Sequence, residues 1–190
     1  MRKVKSGPSG IWGIDNGNRL YTIVGKRWIQ MAEISRDVEP SLPDHVYRIS
    51  TYSKTSCLVP NQIEPFSPNF QNNYYYRADI SCADSSNCLS LGPKYDLFKI
   101  TKTACPFTDS RIDYQSSLTD IEVTSGGGVF GLNSSGFLSY RANLNRGGSW
   151  TLVENSVTFK SVSYSFEHAI IWLVDSNDNA LACSWLNGSL

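Results

Sequence analysis

The sequence predicts an all-β fold of one particular kind: a five-bladed β-propeller whose blades each hold four short antiparallel strands. Three observations carry the prediction. The phrase GIWGID at 10–15 returns almost unchanged as GVFGLN at 128–133, with Ile11 and Val129 118 residues apart. The same order of residues returns at 162–183, in VSYSFEHAIIWLVDSNDNALAC. Long helices are missing, since only QMAEISRDV (30–38) has a helix-like turn, and Pro40 and Pro43 stop it. Self-similarity near 40 residues, with several short strands per unit, is the mark of propeller blades.

The first unit has VKS as inner strand, a small-residue hairpin, and IWGI as second strand. The polar turn Asp15-Asn16-Gly17-Asn18 follows, then RLYTI as third strand, and GKRWIQM leads into the outer one. The second unit is faint: ISTYSKTSCLVPNQI from Ile49 supplies a first half, with Cys57-Leu58-Val59 as its apolar run. ISCADSSNCLSLGPKYDLFKI from Ile80 supplies the third, with Gly92-Pro93-Lys94 as second turn. VTSGGGVFGLNSSGFLSYR from Val123 opens the fourth, and GGSWTLV is its outer strand. The fifth ends soon after its third strand, at SWLNGSL. Starts at Val4, Ile49, Ile80, Val123 and Val162 give one domain with blades near 4–45, 46–79, 80–120, 121–158 and 159–190. A ring must hide its sheet edges, so MRKVK and ACSWLNGSL are expected to meet in one blade. Trp12, Phe130 and Trp172, inside apolar runs, are expected in the core.

At 190 residues and 41% apolar content, the chain can bury a full core without metals or disulfides. A formal net charge of zero argues against nucleic acid, whose phosphates need a basic surplus. No run approaches the ~18 apolar residues of a membrane span. Gly7, Pro8 and Gly10 follow the basic residues of MRKVK directly, so no secretory leader is read there. A cytosolic protein or a mature secreted chain both fit, and the Ser, Asn, Tyr and Cys content leans to the second. The five cysteines are Cys57, Cys82, Cys88, Cys105 and Cys183, an odd count that leaves one thiol free or paired between chains. Without a CxxC, and with only His45 and His168 as nitrogen ligands, zinc is not expected. Cys82 and Cys88 could close a disulfide across a hairpin or stay buried thiols. Asn133 and Asn187 match the glycosylation acceptor pattern.

The run Gly-Ile-Trp-Gly-Ile-Asp, followed by a strand with Tyr21 and then Gly-Lys-Arg-Trp-Ile, resembles the tectonin repeat of the tectonin, fish-egg lectin and tachylectin β-propellers. The resemblance is best at 4–31 and 121–183. It implies a lectin for glycans of microbial or parasite surfaces, N-acetylated or O-methylated sugars among them, bound multivalently at repeated sites in innate defence. Sugar recognition needs aromatic faces and fixed polar groups together. Asp15, Asn16, Asn133, Asp175 and Asn177, in the polar turns, are the hydrogen-bonding candidates, and Trp28 and Trp150 the stacking candidates. The competing explanation is structural, because Asx residues before Gly make turns through their own side chains.

Catalysis is not expected: there is no GxSxG elbow, and Gly126-Gly127-Gly128 lacks the Lys and helix of a phosphate loop. The stretch 175–179 lacks the Gly and distal Glu of an EF-hand, and neither metal nor cofactor is expected. The rival to a lectin is a protein-interaction or structural subunit of a secreted complex. It would dock through the tyrosine-rich insertion at 65–79, as a homo-oligomer or beside an effector subunit.

Overall fold

Runs of four to seven residues, and one of thirteen, with β-branched and aromatic side chains, cut by Gly, Asn, Asp and Ser, fold among the described residues as eighteen strands in the computed structural model. The structure describes residues 1–190 except 59–70, 105–106, 114–116, 145–147, 155, 167 and 185–190, and the side chains at 33, 71–75, 102 and 154. Among the described residues there is no helix.

The strands are β1 (Lys3–Gly7), β2 (Gly10–Ile14), β3 (Arg19–Val24), β4 (Arg27–Glu39), β5 (Val46–Ser50), β6 (Lys54–Leu58) and β7 (Gln71–Tyr76), which form one seven-stranded antiparallel sheet in chain order. Next come β8 (Asp79–Asp84), β9 (Asn87–Leu91), β10 (Leu97–Lys102) and β11 (Thr108–Asp113). A second four-stranded sheet holds β12 (Leu118–Val123), β13 (Val129–Asn133), β14 (Leu138–Arg141) and β15 (Thr151–Glu154). The last sheet has three strands, β16 (Phe159–Ser165), β17 (Ile170–Asp175) and β18 (Ala180–Ser184).

The first four strands match the expected inner, second, third and outer order. QMAEISRDV is not helical but the middle of β4. Residues up to Ile34 pair with β3, a register shift follows, and Ser35–Glu39 pair with β5. No Gly or Pro interrupts this stretch, so the outer strand of one four-strand group runs on as the inner strand of the next. Pairing among the described residues therefore gives four sheets rather than five separate ones; with the seven-stranded sheet divided at the register shift in β4, the strand groups are β1–β4, β4–β7, β8–β11, β12–β15 and β16–β18.

Four apolar clusters fill the spaces between successive groups. Trp12, Ile14, Leu20 and Met31 meet Val38, Val46 and Leu58. Tyr47, Ile49 and Cys57 meet Ile80, Cys82, Cys88 and Ile100. Leu89, Leu91 and Leu97 meet Ile121, Val123 and Val129. Phe130, Leu132 and Leu138 meet Val162, Tyr164, Ile171 and Leu173. Among the described residues no cluster joins the fifth group to the first. Trp12 and Phe130 are buried as expected, but Trp172 is 49% exposed, because no following group covers its face. Among the described residues β1 pairs with β2 alone and β18 with β17 alone; residues 185–190, Trp185 and Asn187 among them, lie outside the described residues, and with them most of the C-terminal segment expected to share a blade with the N-terminus. Cys82 and Cys88 form a disulfide, Cys57 is disulfide-bonded, and Cys183 is free.

The inner strands are tied together by side chains. The Ile121 amide donates to the Asp79 carboxylate (2.9 Å), the Val123 amide to Ser81 Oγ (2.9 Å) and the Tyr164 amide to Glu122 (3.2 Å). Each of these bonds spans 42 residues. Ser81 Oγ donates in turn to Glu122 at 3.3 Å. From β1, Lys3 Nζ sits 2.6 Å from Asp37, and Lys5 Nζ donates to Glu39 at 3.1 Å.

Burial alone would lower the pKa of Lys5, but Asp37 and Glu39 hold it well above its ordinary value. Burial and the charge of Asp37 push Asp79 up. Glu122 is pushed up to about 7 by burial, against the attraction of Lys5. The folded chain thus binds the Glu122 proton more tightly than the unfolded chain, whose value is near 4.5. Its contribution to stability is full below about 4.5 and is lost as pH rises through about 7. Glu122→Gln keeps an oxygen for the Tyr164 amide and removes the titration. It is expected to melt above the parent at pH 8, by on the order of 5 °C, and to approach it at pH 5, as thermal denaturation at both pH values will show.

Candidate functional site

The candidate site is a rim of matching turns. In each strand group the second and third strands are joined by a loop of three to five residues, whose tight turn is opened by Asp15, Ser50, Gly92, Asn133 or Asp175. The residue three places on donates its amide to the opener's carbonyl in every case, at 2.9–3.1 Å. That residue is Asn18, Ser53, Tyr95, Gly136 or Asp178, and all five have positive φ, between 62° and 82°. This is a type I turn with a left-handed residue closing the hairpin, which favours Gly, Asn and Asp.

The openers spend their oxygens on the turn itself. Asp15 Oδ1 accepts from the Gly17 and Arg19 amides, both 2.9 Å, and Oδ2 from Arg19 Nε at 2.6 Å. Asn133 Oδ1 accepts from Ser135 and Phe137 (2.9 and 3.0 Å), and Asp175 Oδ1 from Asn177 and Asn179 (both 2.8 Å). Although burial raises the pKa of Asp15, the Arg19 bonds bring it below the ordinary carboxylate value. Bonds from Asn179, side chain and then backbone, do the same for Asp175. Ser50 offers only Oγ, 3.2 Å from the Lys54 amide, and Gly92 offers no side chain.

The left-handed residues then link neighbouring groups. Ser35 donates its amide to the Asn18 carbonyl (2.7 Å), Arg77 to Ser53 (2.8 Å) and Phe159 to Gly136 (2.8 Å). What the turns leave outward are the side chains at the first two loop positions. Asn16, Ser134, Ser135, Ser176 and Asn177 are exposed there. Tyr52 stands at the same level in the second turn, 76% exposed, and Tyr95 is exposed in the third. Sequence patterning missed both tyrosines, because their turns lack the Asx opener; the Thr-Tyr-Ser between Ser50 and Lys54 was the available signal.

Trp28 and Trp150 do not join this rim. Trp28, the second residue of β4, stands opposite Ile23, at the far end of the strands from the Asp15 turn, and its ring lies over Gly13. Trp150 precedes Thr151, which pairs with Tyr140 toward the far end of β14. Its Nε1 donates to Asp113 at 3.3 Å, and Arg141 reaches the same carboxylate at 3.2 Å. The seven expected residues therefore fall into two sets at opposite ends of the strands: Asp15, Asn16, Asn133, Asp175 and Asn177 in one, the two tryptophans in the other. Residues 59–70 and the side chains of 71–75, which hold most of the tyrosine-rich insertion, lie outside the described residues. Among the described residues no cluster of three or more His, Cys, Asp or Glu could hold a metal ion.

The two side-chain bonds of Asn133 organise its turn. Asn133→Ala is expected to cost about 1–2 kcal/mol and to lower the melting temperature by roughly 2–8 °C. Ser134→Ala, one residue on and exposed, is expected to leave it unchanged when both are followed by calorimetry.

Comparison with known proteins places the fold. The tectonin domain model matches residues 1–176. No curated protein matches the chain. Among solved structures it is similar to YCF48 bound to a D1 peptide, at TM-score 0.60 and 12% identity, over 95% of this chain and 63% of that one. It is similar to yeast RCC1 (Prp20) bound to Kap60, at TM-score 0.61 and 8% identity, over 97% and 56%. An inactive H270A virginiamycin B lyase from Staphylococcus aureus, with quinupristin, gives TM-score 0.61 at 12% identity, over 96% and 65%. The chain thus spans less than two thirds of the length of each of these structures.

Proposed function

Because the chain belongs to the tectonin domain family, we propose that it is a carbohydrate-binding lectin whose five strand groups are the blades of a β-propeller. The observation that carries this is the turn rim. Five loops of one backbone geometry hold exposed amides and hydroxyls with the ring of Tyr52 at their tips, and Tyr95 is exposed one position later in its turn. Aromatic faces stack on pyranose C–H groups, and fixed amides and hydroxyls bond sugar hydroxyls. Loops held on a rigid scaffold suit such contacts.

Asp15, Asn133 and Asp175 act as the frame of these sites, while Asn16, Asn177 and Tyr52 make the contacts. Because the five loops differ in their outward residues, their affinities are unequal. Several weak sites on one ring raise avidity toward a repetitive surface by roughly 10²–10⁴. N-acetylated and O-methylated sugars of microbial surfaces are the ligand classes, and recognition of foreign cells is the role. The disulfides support an extracellular location, where such bonds persist. Binding, rather than catalysis, is the activity proposed.

A glycan array with the non-reduced protein tests this, followed by titration of the best sugar. Tyr52→Ala is expected to weaken binding about tenfold, and Asn16→Ala with Asn177→Ala to remove binding at two blades, with melting unchanged in both. A blank array with folded protein would overturn the lectin proposal. Full binding by all three substitutions would move the site off this rim.

A further inference from the structure

The fourth turn differs from its Asp-opened counterparts at one side-chain atom. Asp15 and Asp175 each give both carboxylate oxygens to their own turn. Oδ1 accepts the amides two and four residues on. Oδ2 accepts the side chain four residues on, Arg19 Nε at 2.6 Å or Asn179 Nδ2 at 2.9 Å. Asn133 makes the same two bonds through Oδ1, from the Ser135 and Phe137 amides. In place of the second oxygen it carries a nitrogen, and the residue four places on is Phe137, which has no polar side-chain atom to meet it. Asn133 is partly exposed, and among the described residues nothing bonds its Nδ2, which reaches water.

A side-chain amide nitrogen with both hydrogens free is chemically available, and the next two residues complete a pattern around it. Asn133-Ser134-Ser135 has a hydroxyl two places beyond the amide and no proline between, which is the acceptor pattern for an N-linked glycan. Ser134 and Ser135 are both exposed. Ser135 serves the turn through its backbone amide, so the turn makes no use of its hydroxyl. Only Asn133 and Asn187 stand in this pattern, and Asn187 lies outside the described residues. The turn needs the oxygen of Asn133 and the pattern needs its nitrogen, so one side chain serves both. The Cys82–Cys88 disulfide is of the kind that persists in the oxidising secretory compartments where such glycans are added.

We propose that Asn133 is an N-glycosylation site, and that its glycan takes the fourth turn out of the ligand-binding rim. Nδ2 attacks the anomeric carbon of an oligosaccharide carried on a lipid diphosphate. A bond forms between Nδ2 and that carbon, the bond from the carbon to the diphosphate oxygen breaks, and the lipid diphosphate leaves as Nδ2 gives up one proton. Oδ1 is untouched, so both turn bonds persist. The attached sugar covers Ser134 and Ser135, the two outward positions of this turn. Among the Asx-opened turns only this one is open to the modification, because a carboxylate offers no nitrogen. The loss of the fourth turn from the rim rests on the lectin proposal, whereas the modification requires only passage through the secretory route.

The full chain is produced behind a secretory leader in yeast cells, and the peptide holding residues 133–135 is followed by mass. The expected result is a peptide heavier by an oligosaccharide, which an N-glycan amidase returns with Asp in place of Asn133. Ser135→Ala is expected to lose this glycan and Ser135→Thr to keep it. Ser135→Ala is also expected to melt within about 2 °C of the enzymatically deglycosylated parent, since the backbone amide at 135 remains. Asn133→Asp keeps Oδ1 and both serines, and is expected to bind one sugar more per chain than the glycosylated parent. An unmodified Asn133 peptide, in secreted or cell-retained chain, would overturn the proposal. Equal sugar stoichiometry in the parent and Asn133→Asp would overturn the loss of the turn from the rim. A glycan on Asn133 with no sugar bound by either chain would confirm the modification and overturn the lectin reading instead.

Discussion

A short antiparallel sheet stacked among others has two faces, and both must be covered. This constraint organises the chain more than any single contact. Each strand group turns one apolar face to its predecessor and the other to its successor, so its second strand reads as a nearly continuous apolar run. IWGI, VFGL and IIWLV carry that double burial, where a sheet with one wet face would alternate. The consequence is an array with nearest-neighbour energetics. Phe130 and Tyr164 stabilise the contact between the fourth and fifth groups and nothing farther away. Such an array has two terminal faces unless the first and last groups meet.

Where the inner strands converge, the covering material is polar. Asp37, Glu39, Asp79 and Glu122 are taken out of water together beside the partly buried Lys3 and Lys5, and ions buried this way cost free energy unless they are paired and hydrogen-bonded. The two lysines compensate part of the negative charge, and burial shifts Asp79 and Glu122 toward their neutral forms to reduce the rest. What the arrangement provides is register. A carboxylate accepting a backbone amide 42 residues away fixes the height of one inner strand against the next, because a one-residue slip would present it with the wrong edge. Apolar contacts between sheets tolerate sliding far better than these directional bonds do.

The strand order of the first group, the outer groups of the repeat and the turns at Asp15, Asn133 and Asp175 were legible in the sequence, because an Asx opener and a left-handed third residue leave a signature. The middle copies were faint for a physical reason. Ser50 and Gly92 form the same backbone turn with fewer side-chain bonds, so their sequences need not resemble the others. The turn openers are 35, 42, 41 and 42 residues apart, and the short first interval reflects the uninterrupted β4. There an outer strand becomes an inner one without a breaker, which sequence punctuation cannot reveal. Trp172 was misplaced for a different reason: its strand is coded for double burial, but burial depends on a neighbour that no local pattern reports. The tryptophan and Asx candidates were separated by register, which depends on the length of every intervening turn.

The turn rim shows how scaffold and function divide within three residues. An oxygen that accepts two backbone amides has little capacity left for a ligand, so Asp15, Asn133 and Asp175 contribute rigidity. The opener's bonds to the turn come from backbone amides, so the side chains at the next two positions can vary without loss of the turn. In the five turns they do vary: Asn-Gly, Thr-Tyr, Pro-Lys, Ser-Ser and Ser-Asn. A repeated frame with unlike outward residues suits the glycan-binding role proposed above, because each loop can be tuned without disturbing its neighbours. The same independence ends at the left-handed residue, whose carbonyl holds the next group in place. On that proposal specificity lies at the tips of the loops, while the link between strand groups begins one residue later.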